Sequence, residues 1–124
     1  MRKLGGILMA GVMIASMSVP AFAQRYTPVN GGTVVHVGEP TSVKPLKTVD
    51  VDDGNGRWDY GTSLTITAKK KVWSNLDHNT KTHRSSCEID GNYDDSGWVK
   101  ARTTSKSSAT GPKKSVAYTN WDVE

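Results

Sequence analysis

The chain has 124 residues, with 16 Lys+Arg against 12 Asp+Glu, four Trp, four Tyr, one Phe and one Cys. That length holds one small domain and hardly two, and a single cysteine excludes an intramolecular disulfide. Without Arg2 and Lys3 the charge balance falls to 14 against 12. So mild an excess does not argue for nucleic acid, and no Arg/Lys-rich helix or aromatic RNA-binding strand accompanies it.

Residues 1–23 read as a signal peptide. Arg2 and Lys3 form the positive start, Leu4 to Val19 the apolar stretch, and Ala21-Phe22-Ala23 the small residues a signal peptidase needs. Cleavage is expected after Ala23, with a secreted product beginning at Gln24. A membrane-spanning helix needs about 20 apolar residues, and Ser16, Ser18 and Pro20 interrupt this run too early.

Residues 24–54 carry Pro28, Pro40 and Pro45, the pair Gly31-Gly32, and one short β-like run, Thr33 to Val37. Proline at this frequency opposes regular pairing. The segment reads as a flexible N-terminal arm or a pro-segment. A boundary falls at Asp52-Asp53-Gly54-Asn55-Gly56, where turn formers precede Trp58 and Tyr60.

From residue 55 to 124 short strand candidates follow one another without any helical period. They are Arg57–Tyr60, Leu64–Ala68, Lys70–Leu76, Thr82–Ile89, Gly97–Thr104 and Ser115–Trp121. The stretch 69–89 reads as a hairpin turning on Asp77, Asn79 and their neighbours; Asp90–Gly97 and Ser105–Lys114 read as loops. The pattern argues an all-β domain, a small antiparallel β-sandwich. With so few other large apolar residues, Trp58, Trp73, Trp98 and Trp121 are expected in the core, with an exposed binding anchor as the alternative for any one of them.

Chemical constellations are sparse. Asp90 to Asp95 lacks the glycine and the bidentate Glu of a calcium loop and reads as a solvated turn. His78 and His83 lie five apart, but zinc would need further ligands, and only His36 and Cys87 are offered. Lys69-Lys70-Lys71 reads as a solvated strand edge. Cys87 alternates with Ser85 and Ile89 and reads as a small buried side chain, with an intermolecular disulfide (and so a homodimer) or a reactive thiol left open. No carboxylate pair, nucleophile elbow, Walker loop or dinucleotide fingerprint appears, so neither an enzyme, a cofactor nor a metal is expected.

Several stretches together carry a family resemblance. They are Gly56-Arg57-Trp58-Asp59-Tyr60-Gly61, Val72-Trp73-Ser74-Asn75 leading to His78, and Lys81-Thr82-His83-Arg84-Ser85-Ser86. Ser96-Gly97-Trp98-Val99-Lys100-Ala101 and Ala117-Tyr118-Thr119-Asn120-Trp121 complete the set. In this order the C-terminal part resembles the lactococcin 972 family of bacteriocins. The resemblance implies a secreted, Sec-exported, non-lanthionine antibacterial β-sandwich. It implies action at the envelope of related Gram-positive cells, on the wall precursor lipid II during septum formation. Self-protection of the producer would call for a membrane immunity protein with an ABC-transporter ATPase. The arm 24–54 and Cys87 depart from the family pattern.

Lipid II presents a pyrophosphate, two sugars and a peptide. Lysines suit the charge, Asn and His the hydrogen bonds, and aromatic rings the sugar faces. The expected target contacts are therefore Tyr60, Lys71, Asn75, His78, Lys81 and His83. For the two histidines, satisfying turn backbone is an equal alternative. A wall-associated glycan-binding or structural module and a secreted enzyme inhibitor stand as the other classes.

Overall fold

The computed structural model describes residues 26–40 and 47–124. The expected signal peptide and the expected cleavage site lie outside the described residues. Eight strands follow in order: β1 (Gly32–His36), β2 (Lys47–Val51), β3 (Gly56–Leu64), β4 (Lys69–His78), β5 (His83–Ile89), β6 (Asn92–Asp95), β7 (Ser105–Pro112) and β8 (Ala117–Val123). They form two four-stranded sheets, β1-β8-β5-β6 and β2-β3-β4-β7. Every pairing is antiparallel, as the all-β sandwich reading required.

The core follows from alternation. Along β4, Lys70, Val72, Ser74, Leu76 and His78 are buried, while Lys71 is exposed and Trp73 and Asn75 are half-buried. Val72 packs with Cys87, Ile89 and Ala117; Leu76 packs with Trp58 and Val123, flanked by Tyr60 and Trp121. Many other inward positions hold small hydroxyls, which fill little volume; those of Ser74, Ser105 and Ser107 find acceptors within the interior. Trp58 Nε1 donates to Ser74 Oγ at 2.8 Å, and Ser74 Oγ donates to the Asn120 carbonyl at 2.7 Å. Ser107 Oγ donates to the Ser74 carbonyl at 2.9 Å. Cys87 is fully buried, and burial pushes its thiol up to about 12, so it is a packing residue with little thiolate.

The stretch 69–89 is an arch between sheets rather than a hairpin. β4 pairs with β3 and β7, while β5 pairs with β6 and β8. Both strands have buried residues at alternate positions, so they face each other across the core instead of lying side by side. Residues 65–68 are not a strand but the turn between β3 and β4. Ala68 N donates to Thr65 O at 3.0 Å, Ala68 has φ 62°, and Ile66 is fully exposed.

The expected strand at 97–104 and loop at 105–114 exchange roles. Residues 97–104 hold a single bridge, Val99 to His83. Residues Ser105–Pro112 are β7, whose inward positions Ser105, Ser107 and Gly111 are buried. Hydropathy misses such a strand because hydrogen bonds and close approach, not bulk, face its core. Gly111 shows the closeness: a Cβ there would stand 3.0 Å from Ile89. Within the expected loop 90–97, Asp90 and Gly91 (φ 49° and 81°) make a hairpin turn into β6.

Residues 24–54 contribute β1 to the edge of one sheet and β2 to the edge of the other. The described part of the expected flexible arm is therefore paired in both sheets. β1 coincides with the one β-like run read there; β2, Lys47–Val51, was not legible.

Candidate functional site

The outer surface of β2-β3-β4-β7 is open. On central strand β4 the outward residues are Lys71, Trp73 and Asn75, two apart and therefore on one face. Opposite Trp73 lie Gly61 on β3 and Ser108 on β7, neither bulky enough to cover the indole. Lys106 stands opposite Asn75 on β7. Asp94 of β6 reaches across the corner, its carboxylate accepting from Ser108 N at 2.9 Å. Together Lys71, Trp73, Asn75, Asp94, Lys106, Ser107 and Ser108 line an open groove of about 390 Å³. The groove offers an aromatic ring, two ammonium groups, an amide and a carboxylate.

Of the six residues expected to contact a target, Lys71 and Asn75 share this groove. Tyr60 lies at the core margin, stacked on Trp58 with ring centroids 3.9 Å apart, and burial raises its phenol above the ordinary range. His78 is buried. Its Nδ1 accepts from Lys81 N at 3.0 Å and Thr80 N at 3.2 Å, which places hydrogen on Nε2 for donation to Asp52 at 2.7 Å. His83 is also buried, its nitrogens 2.9 Å from Lys81 O and 2.6 Å from Thr103 O. Both histidines thus tie loops at one end of the sandwich. Lys81 is exposed beside Asp52, 3.7 Å away.

Trp73 was expected in the core and instead belongs to the groove. The strict alternation of β4 contains that answer, since Trp73 falls in register with Lys71 and Asn75. Lys106, Ser108 and Asp94 carried no sequence signal, because they reach the groove through strand order alone. Lys70, read as part of a solvated edge, is buried, and β4 is central.

The outer surface of the other sheet differs. Trp98, also expected in the core, is 45% exposed, and the Arg84 guanidinium carbon lies 5.5 Å from its ring centroid and 3.9 Å from that of Tyr26. Arg84 is paired with Asp95. Burial opposes ionisation of Asp95, but hydrogen bonds from Arg84, Tyr93 and Gly97 N outweigh it and hold the pKa below the usual carboxylate range. The Asp95 carboxylate is engaged with the protein itself, as is that of Asp94. Among the described residues no group of three or more His, Cys, Asp or Glu is placed to hold a metal ion.

Fold and surface define a small two-sheet β-protein with one closed polar face and one open aromatic, lysine-bearing face. Residues 53–120, more than half of the chain, match the family model described as Bacteriocin (lactococcin 972). The chain belongs to that bacteriocin family. No curated protein and no solved structure matches it.

Proposed function

We propose that this is an exported bacteriocin which binds a cell-envelope target of related Gram-positive bacteria and blocks septum and wall synthesis without catalysis. The proposed target is lipid II. The family match carries the antibacterial role; the groove supplies a physical means of binding. An indole face stacks on a sugar ring, lysine ammonium groups meet a pyrophosphate, and the Asn75 amide serves hydroxyls. Lys71, Trp73, Asn75 and Lys106 are the proposed contacts. Export by the segment ending at Ala23 goes with this role, and N-terminal sequencing of secreted protein should return Gln24.

Growth of a panel of related strains with purified mature protein, with and without added lipid II, tests the proposal. Inhibition relieved by lipid II is expected. If no strain is inhibited, the antibacterial role fails; inhibition unchanged by excess lipid II removes only that target. The open ring of Trp73 also favours a glycan-holding wall module. Retention on isolated peptidoglycan, with no inhibition of any strain, would select that reading.

A further inference from the structure

We propose that the edge of β8 away from β5 is a peptide-recognition site which the chain fills with its own residues 26–38, and that this segment stays docked there in the working protein. Two buried charges of opposite sign mark the ends of the site. At one end Asp122, 2% exposed, accepts from Tyr26 Oη, from Asn30 N at 2.7 Å and from Val29 N at 3.2 Å. Val123 N at 3.1 Å is the only further donor to it among the described residues. At the other end Lys70, 1% exposed, donates to His36 O at 3.1 Å, Gly38 O at 2.9 Å and Ser115 O at 2.8 Å. Burial lowers its ammonium to about 8.

Between these ends β1 pairs with β8 from Gly32–Trp121 to His36–Ala117. Thr33 Oγ1 donates to Asn120 Oδ1 at 2.7 Å, and His36 Nε2 lies 2.9 Å from Thr119 Oγ1. The site also selects against bulk. A Cβ on Gly31 would stand 1.8 Å from the Trp121 carbonyl, and one on Gly32 2.9 Å from the indole nitrogen. The strand is thus read at five points: a phenol at 26, no side chain at 31 or 32, a hydroxyl at 33 and an imidazole at 36. Main-chain pairing supplies affinity and these points supply specificity, as in strand addition to a sheet edge.

Loss of the segment would take from Asp122 three of its four donors and from Lys70 two of its three carbonyl acceptors among the described residues, and would leave the β8 edge unpaired. This opposes the pro-segment reading of residues 24–54, although the family match begins only at residue 53.

The test uses the full mature chain with a protease recognition sequence between Pro40 and Lys47, folded first and then cut. The fragment 24–40 should co-elute with the remainder on gel filtration. Tyr26→Phe, which keeps the ring over Arg84 and removes one bond to a buried carboxylate, should speed its release about tenfold. Asp122→Asn should also speed release. Separation of the fragment from the otherwise unaltered chain overturns the proposal, and so does a release rate unchanged by Tyr26→Phe. The readout is binding, independent of any antibacterial activity.

Discussion

The two outer faces of this sandwich are built from similar residue types and put to opposite use. On the β1-β8-β5-β6 face, Tyr26, Trp98, Arg84, Asp95 and Asp122 bond to one another and to the N-terminal segment. On the β2-β3-β4-β7 face, Trp73, Lys71 and Lys106 stand around an open groove. Aromatic and charged residues therefore do not mark a binding surface by themselves. What separates the faces is whether another part of the same chain already occupies them.

The sharpest way to break this comparison is to remove a group from each face. Asp122→Ala leaves Tyr26 and three backbone N–H groups without their acceptor and should cost about 3–5 kcal/mol in urea unfolding. Trp73→Ala on the open face should cost under about 1 kcal/mol, as a partly exposed side chain does. Equal costs would mean that the open face is as structural as the closed one.

The second test concerns pH. Burial, with the Lys70 ammonium nearby, lowers His36 to about 4 from an ordinary 6.5. Below 6.5 the unfolded chain therefore binds the proton first. The stability contributed by neutral His36 is complete above pH 6.5 and is lost as pH falls towards 4. Because the ring is partly exposed, about 2 kcal/mol is expected. His36→Gln should flatten that part of the pH profile measured by denaturant midpoint. A profile unchanged by the substitution would free the end of β1 from this role.

On the open face, Trp73→Ala should lower growth inhibition about tenfold, the loss of one good stacking contact. Trp98→Ala should leave inhibition within about twofold of the unaltered protein, since that ring lies over Arg84 on the other sheet. The reverse pattern in a dilution assay would move the binding face. The smallest effect is expected in the core between them. Among the described residues, buried Ser85 Oγ has no hydrogen-bond partner. Ser85→Ala should therefore stabilise by about 1 kcal/mol in thermal unfolding.

Much of the fold was legible where bulky residues alternate. β4, β5 and β8 follow from Val72, Leu76, Cys87, Ile89 and Tyr118 in period two, and they specify an all-β class. β7 was illegible because Ser105 and Ser107 face its core with hydroxyls. The false strand at 97–104 arose from Trp98 and Val99, whose bulk signals burial whether or not a strand forms. Within the candidate site, the grouping of Lys71 with Asn75 was readable from spacing, and Trp73 belonged with them by the same period.

Composition and alternation by themselves determined a small antiparallel β-domain without helical period, and the order of its motifs carried the family. Only the tertiary structure decided which strands share a sheet, and with that the fate of each polar residue. Lys70 and Lys71 are neighbours in sequence, yet one lies buried among three carbonyl oxygens and the other lines an open groove. Alternation assigns them to opposite faces but cannot tell which face will be covered. That depends on contacts between distant segments: Gly38 and Ser115 meeting at Lys70, Tyr26 meeting Asp122. Such pairings arise from the packing of two whole sheets, and no local pattern encodes them.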